Sequence, residues 1–282
     1  MEFQSEKTSP LIVVGMHRSG TRLLAQVLER LGVFMGADQQ ADSESLTFMR
    51  INEGILHQCG AFWSEPMSAH FILSQPQSAQ ALAEHARNAL TSQFANYAGS
   101  EGWQGPNDRQ FGWKDPRNTF TLPVWREIFP GARAIHIVRH GIDVAVSLAR
   151  RHHAALQAAA GSEFPGALTV VQEHGSGVLS SRRGWTLPEA LTMWEQYVEK
   201  ARLELASMSA GTLEIRFEEL LATPEKLVPA IAQFCGAELP PDHGAWFDDI
   251  RSDRAFAFRR DATLSELAKS AEAALNRFGY SA

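Results

Sequence analysis

No stretch of the chain approaches the roughly 18 consecutive apolar residues of a membrane-spanning helix. Its opening, Met1-Glu-Phe-Gln-Ser-Glu-Lys7, lacks the apolar block of a secretory leader. Cysteine is scarce: Cys59 and Cys235 are the only two, too few for a disulfide framework or, by themselves, a zinc site. Both read as small buried hydrophobes. These absences point to a cytoplasmic protein with no membrane span. An excess of positive charge is lacking as well. The formal net charge is -6, which argues against a nucleic-acid-binding surface. Any anionic ligand must therefore be held by local cations.

What is present begins at Leu11. Four apolar residues, Leu11 to Val14, read as a short buried strand. Gly15-Met-His17-Arg18-Ser19-Gly20 follows as a tight turn. Leu23, Leu24, Val27, Leu28 and Leu31 then recur at helical spacing. Strand, glycine loop and helix N-terminus form an anion site, most often one for phosphate. The spacing Gly15-x-x-x-x-Gly20 is that of a P-loop. A nucleotide triphosphatase would continue with Lys and then Ser or Thr. Here Thr21 and Arg22 stand there, and the strong cation is Arg18 inside the loop. The phosphate cradle is kept and the usual Mg²⁺-holding hydroxyl is not.

The length of 282 residues and 44% apolar content suit one large α/β domain. Residues 36 to 46 read as a polar loop, and Phe48, Ile51, Ile55 and Leu56 predict a helix. Glu44 and Glu53 lie here, each compatible with a solvated face. Residues 78 to 98 are helix-prone. Phe111-Gly-Trp-Lys114-Asp115-Pro116 predicts a strand ending in a turn, which puts Lys114 where ligands gather in open α/β sheets. Arg133 to Val138 is a further strand, closed by Arg139. A helix is expected from Gly141 to Arg151, with Asp143 in its first turn and Arg150 and Arg151 in its last. Arg139 and Ser147 together can hold a second phosphate, one by its guanidinium fork and one by its hydroxyl. Residues 152 to 186 read as a mobile insertion or lid, with His152 and His153 solvated. A helix resumes at Pro188, a strand spans Thr212 to Phe217, and helices cover Pro224 to Phe234 and about 263 to 277. The alternation predicts a P-loop-like three-layer α/β/α fold with a central parallel sheet, residues 1–282 forming a single domain.

Gly15-x-x-Arg18-Ser-Gly-Thr21, Lys114-Asp-Pro, Val138-Arg139-x-x-x-Asp143-Val-Ala-Val-Ser147 and Arg216-Phe217-Glu-Glu-Leu220, in this order, resemble the PAPS-dependent sulfotransferases. PAPS is 3′-phosphoadenosine 5′-phosphosulfate, and PAP is its product. The resemblance covers about residues 10 to 260. It implies a metal-independent, in-line transfer of a sulfuryl group to a hydroxyl or amine of a small-molecule acceptor. It assigns the 5′-phosphosulfate to the loop, namely His17, Arg18, Ser19, Gly20, Thr21 and Arg22. It assigns the 3′-phosphate to Arg139 and Ser147, an adenine contact to Phe217, and a late clamp to Arg259 and Arg260. Asp261 stands where the family glycine follows that clamp.

Arg18 and Lys114 are the implied charge-stabilising catalytic groups. Cytosolic members place a histidine two residues after the matching lysine, where this chain has Pro116. The Lys-Asp-Pro form is similar to the tyrosylprotein branch, whose base is a glutamate after the first helix. Glu44 and Glu53 are the matching candidates, and Glu44 is favoured because it lies in a loop. Trp185 with Arg182 or Arg183 are candidate acceptor contacts. Two alternatives stay open: a P-loop kinase using ATP, and a non-catalytic PAP-binding module.

Overall fold

Leu11–Val14 forms strand β1 and has no exposed residue, so a strand lies at the centre of the fold rather than at its edge. The computed structural model describes residues 9–99, 109–160, 183–241, 243, 246 and 252–282. Three further strands, β2 (Gly112–Lys114), β3 (Arg133–Val138) and β4 (Thr212–Arg216), complete an all-parallel sheet in the order β2-β1-β3-β4. Parallel strands require crossovers. These are supplied by helices α1 (Thr21–Arg30), α2 (Leu46–Gln58), α3 (Met67–Leu73), α4 (Pro76–Ala98), α5 (Asn118–Ile128), α6 (Gly141–Ala160) and α7 (Leu187–Leu205). Helices α8 (Phe217–Ala222), α9 (Pro224–Cys235), α10 (Ala262–Ser270) and α11 (Glu272–Arg277) follow β4.

Alternation along β1 divides the core in two. Ile12 and Val14 face a cluster built with α2, α4, α5, α6 and α7. Leu11 and Val13 face the other, built with α1, α8 and α9. Helices therefore cover both faces of the sheet, as the alternation of elements predicts.

Several boundaries differ from expectation for identifiable reasons. Helix α6 does not stop at Arg151. It runs to Ala160, because His-His-Ala-Ala-Leu-Gln-Ala-Ala-Ala continues with good helix formers. Residues 152 to 160 are thus helix rather than the start of an insertion, while 161–182, including Arg182, lie outside the described residues. His152 is fully buried, not solvated, with Nδ1 2.9 Å from the Leu148 carbonyl oxygen. Phe217 opens α8 instead of ending β4. The last helix is two, α10 and α11, broken at Ala271. Helices α3 and α5 carry short or mixed apolar patterns that the sequence reading left unassigned.

Candidate active site

The loop between β1 and α1 is drawn tightly against the sheet. Ser19 is buried, and its hydroxyl donates to the carbonyl oxygens of Met16 (2.6 Å) and Ile137 (3.2 Å). Its backbone N–H returns to Met16 (3.1 Å). Ser19 is thus a staple for the loop, with both donors in use. Glycine is required at position 20: φ is +100°, and a Cβ would sit 2.4 Å from the Phe217 ring. Arg18 adopts the left-handed region at φ +71° without being glycine, a conformation stored mainly at functional sites. No side chain caps α1. Its first-turn N–H groups, Thr21 and Arg22 among them, therefore meet whatever the loop encloses. Thr21 is buried and Arg22 exposed.

The two predicted phosphate cations lie together. Arg139 Nη1 donates to the Arg18 carbonyl oxygen at 3.3 Å, and Arg18 Nε donates to Ser147 Oγ at 3.0 Å. Asp143 Oδ2 holds Arg139 Nη2 at 3.4 Å. Asp143 also receives the backbone N–H groups of Ala257 (3.2 Å) and Phe258 (2.9 Å). A residue read as a simple helix-start acid therefore joins Arg139 to the late basic segment. Phe217 is buried, with the Arg139 guanidinium 4.7 Å over its ring; it supports that cation from below. Arg254 joins the group, since its carbonyl oxygen accepts from Arg139 Nη2 at 2.8 Å. Arg259 and Arg260 are exposed. Arg259 lies 4.4 Å over the Phe256 ring, and Arg260 donates to the Asp253 carbonyl oxygen. Asp261, in place of the family glycine, is the N-cap of α10 and accepts from the N–H groups of Thr263 and Leu264.

A second cluster forms at the end of β2. Lys114 is buried, and its Nζ lies 3.0 Å from Glu44 Oε1. Arg117, missed in the sequence, gathers three carboxylates: Glu44 Oε2 at 3.3 Å, Glu53 Oε1 at 3.0 Å and Asp115 Oδ1 at 3.0 Å. Burial pushes the Glu44 carboxyl up, but Lys114 and then Arg117 outweigh it and hold the group below its ordinary value. Burial dominates at Asp115 and raises it to about 6. Glu53 is about a third exposed and serves Arg117, not Lys114. Asn52 fixes the platform. Its Nδ2 donates to Asp115 (2.9 Å) and Asn118 (2.8 Å), and its Oδ1 accepts from Thr121 (2.6 Å) and Trp125 (2.8 Å).

His17 lies between the two clusters. It is buried edge-on to Trp63 (4.7 Å between ring centres) and to Tyr197 (6.2 Å). Burial, then the charges of Arg151, Arg117, Lys114 and Arg18, push its pKa well down, so the ring is neutral. His17 therefore lies within reach of the Lys114 and Arg117 charges as well as that of the loop's Arg18.

The sequence profile of the group described as "Sulfotransferase family" matches residues 10–241. No curated protein of similar sequence matches the chain. Among solved structures it is similar to a "Sulfotransferase Domain from the Curacin Biosynthetic Pathway", with TM-score 0.51 and 15% identity over 98% of this chain and 99% of that one. It is also similar to sulfotransferase STF9 from Mycobacterium avium, with TM-score 0.49 and 13% identity over 99% of this chain and 78% of the other. Mouse sulfotransferase SULT7A1 complexed with PAP aligns with TM-score 0.42 and 17% identity, over 90% of this chain and 67% of the other. At such identities the curacin-pathway domain bears on the fold alone: a parallel sheet with helices on both faces.

Proposed function

The chain belongs to the sulfotransferase family, and on that premise we propose that it transfers a sulfuryl group from PAPS to a hydroxyl of a small acceptor. The observation that carries this reading is the junction of Arg139, Arg18 and Ser147 over an uncapped helix N-terminus. The Arg139 end of this cationic cluster suits a 3′-phosphate and the loop end a 5′-phosphosulfate. The donor supplies a sulfo group bonded to a phosphate, which departs readily once its charge is met.

The chain's own residues then have separable tasks. Arg139, Ser147 and the 252–260 segment hold the 3′ end. The loop N–H groups and Arg18 neutralise the departing phosphate oxygen. Lys114 meets charge on the transferring sulfo oxygens. Glu44 takes the acceptor's proton as the new S–O bond forms and the bridging S–O bond breaks. Both its oxygens face cations, but each keeps a lone pair. Its lowered pKa keeps it ionised and makes it a weak base, one that draws off the proton only as the hydroxyl becomes acidic in the transition state. Glu53 positions Arg117.

Calorimetric titration tests the donor: PAP is expected to bind without Mg²⁺, and ATP is expected not to compete. Glu44→Gln is expected to lower sulfuryl transfer at least about a hundredfold while leaving PAP affinity intact. In the wild type, the loss of turnover caused by protonating Glu44 should come below the ordinary glutamate range, because its pKa is lowered, and any decline near pH 6 belongs to Asp115 and its hold on Arg117. Wild-type turnover in the glutamine variant would remove Glu44 from the role.

A further inference from the structure

Three side chains on α6 recur every four residues: Asp143, Ser147 and Arg151. They form one stripe along the helix, stepping about 6 Å each time. Asp143 is answered by Arg139 and Ser147 by Arg18. Arg151, at the far end, is not answered. Its Nε and Nη2 are buried and have no hydrogen-bond partner. The guanidinium lies 4.8 Å over the Trp63 ring. Burial, then the Arg18 charge, bring its pKa down to about 10, and it stays charged at neutral pH.

The surrounding charges do not relieve it. Arg18 and Arg117 repel it, and of the two attracting groups Asp42 is exposed. The other, Glu44, already has one oxygen on Lys114 and one on Arg117. A buried guanidinium without a carboxylate is costly to keep. The 3′-phosphate position of the donor lies at the other end of the stripe, where Arg139 meets Asp143 and the Arg254 carbonyl oxygen. Arg151 stands at the opposite end over Trp63, whose ring also packs against His17, and the Glu44 and Arg117 charges reach it there; in the reading above, the base Glu44 marks this as the acceptor's side.

We propose that Arg151, backed by Trp63, is an anchor for an anionic group on the acceptor, so that the natural substrate is a hydroxyl compound bearing a carboxylate or phosphate. The inference rests on the donor reading above. Arg151 offers a planar fork that suits either oxyanion, with the Trp63 indole behind it. A neutral acceptor would leave the charge unmet.

The test begins with PAP binding, since a protein that does not bind PAP overturns the donor reading and this inference with it. In PAP-saturated protein, benzoate or inorganic phosphate is expected to raise the melting temperature further, and neutral benzamide is not. Arg151→Gln should abolish the second rise and Arg151→Lys should keep part of it. Both variants should bind PAP and PAPS within about threefold of wild type. Among hydroxyl compounds offered as acid and amide pairs, the acid should be preferred in kcat/KM by at least about tenfold, and the preference should collapse in Arg151→Gln.

PAP binding with no second rise from either anion overturns the inference alone, as does a rise that survives Arg151→Gln. A loss of affinity for PAPS but not PAP in Arg151→Gln would assign Arg151 to the donor's sulfo group and likewise overturn it.

Discussion

Alanine at position 20 would meet the Phe217 ring at 2.4 Å while holding a backbone angle suited to glycine. Gly20→Ala is therefore expected to cost about 1–3 kcal/mol and to weaken PAP binding, measured by urea unfolding and calorimetry. Asn52→Ala is expected to cost about 2–4 kcal/mol, because it strips buried Asp115 Oδ2 and the Trp125 indole N–H of their partner and removes the bonds to Asn118 and Thr121. Turnover should fall with it, since Asp115 helps to hold Arg117. The loop residues were legible because a strand, two glycines and a helix constrain one another within twenty positions. Lys114 was legible from its place before Asp-Pro. Asn52 and Arg117 were not: most of their partners lie far away along the chain, and no local pattern marks an amide or guanidinium that will be buried. Ser19 shows the opposite case, a residue placed correctly in the loop whose hydroxyl faces inward to a strand carbonyl.

Elements are positioned by polar ties at their ends. Asp143 joins α6 to the backbone of residues 257 and 258, so Asp143→Ala is expected to loosen that segment and weaken nucleotide binding without touching Lys114 or Glu44. Strand β4 is tied to its neighbours by Glu214, whose Oε2 lies 2.9 Å from His136 Nδ1 and whose Oε1 lies 2.8 Å from Arg202 Nη2. Burial pushes this carboxyl up, but the bonds from His136 and Arg202 outweigh it and bring it to about 2. A depressed carboxyl stabilises fully above its unfolded value near 4.5 and less as the pH falls toward 2. Glu214→Gln should therefore cost about 1 kcal/mol at pH 7, discounted for its partial exposure, and clearly less at pH 3 in chemical denaturation. Helix α6 was legible at its start and misjudged at its end. A pair of basic residues resembles a C-terminus, yet nothing after Arg151 stops the helix until the alanine run is spent. The expected helix already held Asp143, Ser147 and Arg151; reading Arg151 as a last-turn surface cation hid its burial against Trp63.

At the scale of the whole molecule, the carboxyl ends of β1, β2 and β3 bring together residues far apart in sequence, such as Lys114 and Glu44 or Arg18 and Ser147. A parallel sheet with helices on both faces was legible because apolar strands alternate with amphipathic stretches. The order β2-β1-β3-β4 was not, since pairing depends on contacts that no single segment encodes. A ligand bridging three strand ends stabilises the folded state as a unit. PAP at a hundred times its Kd is expected to add about 2.7 kcal/mol and to raise the melting temperature by roughly 5 °C, with or without Mg²⁺. Scanning calorimetry checks this, and a rise that requires Mg²⁺ would favour the ATP alternative.

Trp194 is fully buried on α7, and its indole N–H donates at 2.9 Å to the backbone carbonyl oxygen of Arg139. The residue proposed to receive the nucleotide thus shares a hydrogen bond with a chromophore on a neighbouring helix. Any settling of Arg139 around an incoming phosphate alters the polarity felt by that ring, so ultraviolet emission from the unlabelled protein can follow the encounter as it happens, and Trp194→Phe should silence most of the signal.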